Sequence, residues 1–158
     1  MLNVEYINCF ITATLQTLEV MAAVRPTRGA PFVKADEVAK GDISGVIGLA
    51  GDATGSVAVT FPESLAIEIY SNMVGEAASS LDEGVKDAIG EVANMIAGGA
   101  KAGLSQNGFS FRIAIPTVVV GKNHSIEHKG GFPCLCVPFH MREETFWLEV
   151  SFGPAKRA

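Results

Sequence analysis

The chain has 158 residues and a mass of 16.6 kDa, 48% of them hydrophobic and 18% charged, which excludes a disordered chain and a charged helical rod and gives one domain, residues 1–158, a core without disulfide or metal staples. Seventeen acidic against 12 basic side chains leave a net charge of −5, the wrong sign for a nucleic-acid footprint or a surface made for anionic lipid. No uncharged apolar run reaches the roughly 18 residues of a membrane span.

Residues 1–24 are apolar but interrupted by Glu5 and Glu19 and preceded by no basic region, so they are not expected to be a signal peptide. They read as a helix. Ile7, Phe10, Ile11, Thr14, Leu15, Leu18, Met21 and Ala22 recur at steps of three and four, with Asn3 as N-cap and Arg25-Pro26 as the stop. Residues 27–31 read as a loop. Strands are expected at 32–39, 43–50 and 56–61, the last two joined by a Gly51-Asp52-Ala53-Thr54-Gly55 turn. Pro62 ends the third, and 63–74 form a short helix with Leu65, Ala66, Ile69, Tyr70 and Met73 on one face. A long helix follows at 81–106, stopped by Asn107-Gly108. Strands are expected at 109–120, 134–140 and 145–152, with a long loop at 121–133 and a tight turn at Arg142-Glu143-Glu144. Strands in hairpin-spaced groups favour an α+β fold, an antiparallel-rich sheet of about six strands packed by two long helices and one short one.

The long helix carries the informative pattern. At about 100° per residue, Val85, Ile89, Val92, Ile96 and Ala100 share one direction, and Asp87, Glu91, Asn94, Gly98 and Lys101 the opposite one. The outward set fits an ordinary solvated stripe. Three details fit a site instead. Asn is a poor mid-helix residue, because its amide competes with the backbone. Gly90, Ala93, Ala97, Gly98 and Gly99 strip the surroundings of bulk, at about 1 kcal/mol per mid-helix glycine. And Glu91 and Asn94, at i and i+3, project side by side. A carboxylate and a carboxamide on a cleared surface can read, or hold a water for, a group that a partner brings.

At these residues the chain resembles the CheX-type chemotaxis phosphatases, related to CheC and the FliY phosphatases. Their signature is Asp or Ser, Glu four residues on, Asn three further, and a proline about two dozen residues later. Asp87, Glu91, Asn94 and Pro116 stand at those positions, with 21 residues between the last two. The run Gly90-Glu91-Val92-Ala93-Asn94-Met95-Ile96-Ala97-Gly98 looks like the family's catalytic helix, and the residues from Ile7 to Thr14 like its first helix. The resemblance implies a homodimeric hydrolase that removes the aspartyl phosphate of a CheY-type response regulator, and the three unpaired cysteines without an export signal point to the cytoplasm. The regulator would supply Mg²⁺, and the chain would need no cofactor of its own. An acyl phosphate is already activated, so placing a water in line with phosphorus is the main task. Asn94, donor and acceptor at once, would orient that water. Glu91 would pair with a regulator lysine. Asp87, Gly90 and Gly98 would form the partner-binding ground around them. A non-catalytic adaptor of the same fold is the alternative.

Other candidates are weaker. Glu5-x-x-Asn8 repeats the Glu-x-x-Asn spacing without the cleared surface. Cys9, Cys134 and Cys136 read as reduced thiols, since three cannot all pair internally. Cys134-x-Cys136 with His124, His128 and His140 could be imagined as a metal site, but the spacing is not that of zinc, and buried small hydrophobes fit better. His124 and His128 read as loop residues. No nucleophile elbow and no phosphate loop is present.

Overall fold

The structure, a computed structural model, describes residues 6–128 and 130–155. Asn3, the expected N-cap, and Glu5 lie outside them. Three helices, α1 (Tyr6–Ala22), α2 (Glu63–Val74) and α3 (Glu83–Ser105), accompany eight strand segments among the described residues. These are β1 (Thr27–Arg28), β2 (Phe32–Val33), β3 (Ile43–Gly51), β4 (Ala53–Phe61), β5 (Phe111–Ile113), β6 (Thr117–Val120), β7 (Leu135–Met141) and β8 (Glu144–Pro154). All pair antiparallel in one sheet. β1 and β2 share an edge against β7, then come β8, β4 and β3, and β5 and β6 share the other edge against β3. The fold is α+β, with six strand positions as expected, because both edges are broken in two.

Each break has a physical cause. Along the first edge Gly29 donates its N–H to Pro138 O at 2.7 Å and Lys34 to Cys134 O at 2.8 Å, but Pro31 between them has no N–H to give. The chain therefore follows β7 from Thr27, where a loop was expected. It leaves after Lys34, where the expected strand 32–39 would have continued. Asp36 Oδ1 accepts from Val38 N at 3.0 Å and bends the chain away, and Val38 keeps a single bridge to Ser125. Along the second edge the expected strand 109–120 is split. Leu49 faces Ile113 and Val46 faces Thr117, so three steps on β3 oppose four on the edge. The extra residue makes a bulge at Ile115-Pro116, on an edge strand where a proline sacrifices no ladder bond.

The hairpin between β3 and β4 is tighter than the five-residue turn expected, with Asp52 alone outside the strands. Gly55 is required there. Its φ is +152°, and a Cβ on it would lie 1.9 Å from the Ser151 carbonyl oxygen.

α3 lies across β3 to β6, and α1 and α2 pack against it. Asp82 caps α3 by accepting from Val85 N at 3.0 Å. Val85, Ile89, Val92, Ile96 and Ala100 are all buried, as the periodicity predicts. The helix sits unusually close to the sheet, because a Cβ on Gly45 would meet Ala93 Cβ at 2.8 Å. It sits close to α1 too, where Cβ atoms on Gly99 and Gly103 would lie 3.0 Å from Ala13 Cβ and 3.1 Å from Cys9 Sγ.

The opposite face of the sheet is polar yet covered. Residues 34–42, 121–128 and 130–132 cross it. Ser44 Oγ lies 2.6 Å from both Thr60 Oγ1 and His124 Nε2, Ser56 Oγ lies 2.6 Å from His128 Nδ1, and Ser151 donates to Phe132 O at 3.0 Å. Ala39, Ala58 and Ile126 form a small second core beneath these loops.

Candidate functional site

The site grows from the rotation of α3. With one face fixed in the core, Asp87, Glu91, Asn94 and Lys101 are turned outward and exposed, and Gly98 is half-exposed. Asp87, Glu91 and Asn94 make no side-chain hydrogen bond or ion pair with any described residue. Their charge and amide are unspent. The stripe is polarised, acidic over its first turns and basic at Lys101. Carboxylate and carboxamide one turn apart can together engage a cation and position a water.

The stripped surroundings divide into two kinds. Gly98 has nothing within 4 Å of where a Cβ would stand, and is open ground beside Asn94. Gly90, expected to contact a partner, is instead buried. A Cβ there would meet Val118 Cγ2 at 3.4 Å and Pro116 Cγ at 3.9 Å. Its bareness seats the edge strand on the helix, and so brings Pro116 against the residue preceding Glu91. Ala93 and Gly99 are likewise small for packing, against Gly45 and Ala13. Asn8 is exposed on α1, and its companion Glu5 lies outside the described residues.

The cysteine–histidine candidates are rearranged. His140 is exposed on β7 between Thr27 and Thr145, its Nδ1 3.2 Å from Thr145 Oγ1. His124 and His128, read as loop residues, are anchors on the covered face. Their nitrogens meet Ser44 and Ser56, serines on the loop-covered side of β3 and β4. His128, Cys134 and Glu149 come together with ligand atoms within 4.8 Å of one another. Lys34 Nζ lies 3.0 Å from Glu149 Oε2, with side chains 4% and 2% exposed, and His128 Nε2 donates to Glu149 Oε1 at 3.2 Å. The group thus carries its own cation. Burial, then the Glu149 carboxylate, pushes the Cys134 thiol up to about 12 and that of Cys136 up to about 11. Burial also works to raise the Glu149 carboxyl, but the hydrogen bonds from His128 and Lys34 outweigh it and hold that group below its ordinary value. This is an ion-pair core that no sequence spacing announced, since Lys34, His128 and Glu149 are far apart in the chain. The one available signal was a lone glutamate at an otherwise apolar stretch of β8.

Fold and outward stripe define a class: an antiparallel sheet whose central helix turns an exposed acid–amide pair outward. The sequence profile described as "Chemotaxis phosphatase CheX" matches residues 43–140. The chain is 30% identical over 152 residues to the CheY-P phosphatase CheX of Thermotoga maritima, covering 95% of this chain and 97% of that protein. Among solved structures, a CheC-like superfamily protein from Shewanella superposes with a TM-score of 0.88 at 43% identity, over 96% of this chain and 99% of the other. The Borrelia burgdorferi CheX–CheY–BeF3–Mg complex matches with a TM-score of 0.78 at 27% identity, over 95% and 99%. The chain belongs to the CheX family of chemotaxis phosphatases.

Proposed function

We propose that this protein hydrolyses the aspartyl phosphate of a CheY-type response regulator. Family membership over nearly the whole chain supports the activity, and one observation carries the site: Glu91 and Asn94 stand exposed on α3, without a side-chain partner among the described residues, next to open ground at Gly98. In the docked complex the Asn94 carboxamide holds a water in line with phosphorus. The water oxygen forms the new P–O bond while the bond to the aspartyl carboxylate breaks. The carboxylate leaves as an anion, and the water's proton passes to phosphate or solvent. Little else is needed, because an acyl phosphate is an activated mixed anhydride and positioning dominates.

Glu91 pairs with a lysine of the regulator, fixing the geometry by a charge-assisted hydrogen bond. Asp87 adds a rim contact. The regulator brings Mg²⁺, so the chain needs no cofactor of its own. We place the protein in the cytoplasm as a homodimer. No helix among the described residues is long and apolar enough to cross a membrane. The test is the lifetime of a phosphorylated CheY-type regulator with and without catalytic amounts of this protein. Acceleration that Asn94→Ala abolishes supports the reading. Regulator binding with an unchanged lifetime would instead make it an adaptor.

A further inference from the structure

The edge bulge does something the signature residues do not explain. In a regular strand Ile113, Ile115 and Thr117 would share the helix-facing side. The extra residue breaks that alternation, so that Pro116 and Val118 lie over Gly90, and Ile115 is expelled. It is 88% exposed, the barest large hydrophobic side chain among the described residues. A bulge re-aims a side chain at the cost of ladder bonds, and here it aims an isoleucine into water, one residue from the proline that packs on Gly90, the residue before Glu91.

We propose that Ile115 is an apolar docking anchor, gripping the rim of the regulator surface that surrounds the aspartyl phosphate. This rests on the phosphatase reading of Glu91 and Asn94. A regulator placed with its phosphate at Asn94 must cover the outward face of α3, and Pro116, packed on Gly90, makes the bulge the wall of that face. The Glu91 and Asn94 contacts are polar and exchange well with water. A rigid apolar projection beside them supplies burial without ordering a loop. The matching group on the regulator is an apolar side chain at the lip of its phosphorylation pocket. A second copy of this chain is the other possible occupant. The bulge and Pro116 argue against it at this corner, since both interrupt the ladder along which a strand from another copy would pair.

The experiment is steady-state hydrolysis of a CheY-type regulator kept phosphorylated with acetyl phosphate, at varied regulator concentration. The proteins are the wild type, Ile115→Ser, Ile115→Leu and Asn94→Ala, each also characterised by light scattering and melting temperature. Ile115→Ser is expected to raise KM about tenfold, with kcat, melting temperature and oligomeric mass unchanged, as befits one lost apolar anchor. Ile115→Leu is expected to restore KM to within about twofold. An Ile115→Ser protein with the KM of the wild type overturns the anchor, as does a loss of activity that tracks a change in oligomeric mass. If Asn94→Ala is inactive while Ile115→Ser behaves as wild type, the anchor alone fails. If Asn94→Ala stays active, the phosphatase reading falls and the anchor with it.

Discussion

Asn94 occupies a position where almost any other polar residue would serve the helix better, and it makes no hydrogen bond with the described residues. A structural asparagine would be bonded, and its loss would cost stability. Asn94→Ala should instead raise helix stability by about 0.5 kcal/mol, since alanine is the better helix former, while nearly abolishing regulator dephosphorylation. Asn94→Asp should fail as well. It keeps an acceptor, loses the amide donor, and sets a negative charge against an anionic phosphoryl group. Melting temperature and turnover measured on the same preparations decide the point, and a destabilised but active Asn94→Ala protein would remove Asn94 from the chemistry. The thiols give a second test at this scale. Burial and the Glu149 carboxylate push the Cys134 and Cys136 thiols up to about 12 and about 11, disfavouring the thiolate, which is the reactive form. At pH 8 they should react with a disulfide reagent only after denaturant is added. Rapid native-state labelling of Cys134 would show that the covered face opens.

At the scale of elements, α3 was legible because its signal repeats. Five apolar positions of the 23-residue helix agree on one direction, and no tertiary contact needs to override them. The expected consequence is that Ile96→Ala, at the centre of that face and 1% exposed, costs about 2–4 kcal/mol in denaturant unfolding. A cost below about 1 kcal/mol would mean that the helix packs on another face. The edges were not legible for the opposite reason. β1 and β2 are two residues each, too short for any period, and their pairing comes from β7, far along the chain. The β5–β6 bulge is a one-residue offset whose only sequence trace is Pro116, already absorbed into the motif. The glycine-poor and glycine-rich positions of α3 also misled in part. Gly98 is bare toward solvent, but Gly90 and Gly99 are small because Val118, Pro116 and Ala13 come close. Sequence shows that bulk is missing, not what approaches.

The whole molecule has two covered faces with different chemistry. Helices close one with apolar side chains. Loops close the other over strand serines and Glu149, and themselves supply the histidines and the Lys34 ammonium that meet them. Here the fold stakes stability on charge. Glu149→Gln should cost about 3–5 kcal/mol, because it leaves the Lys34 ammonium buried beside a neutral amide, and that ammonium has no other acceptor among the described residues. The double variant Lys34→Met, Glu149→Leu should recover most of that loss, since a well-packed apolar pair avoids the desolvation of both ions. The pH dependence has a definite sign. The Glu149 carboxyl is held below its ordinary 4.5, so the folded state binds its proton less readily than the unfolded chain. Its contribution is complete above about pH 4.5, and disappears as the pH falls from there through the lower folded value. Unfolding free energies measured from pH 7 down to pH 3 should therefore fall more steeply for the wild type than for the double variant, which has no carboxylate to protonate there. Parallel curves would show that the ion pair under the loops contributes nothing to the acid sensitivity of the fold, and a double variant less stable than Glu149→Gln would show that Lys34 and Glu149 are held there by more than each other's charge.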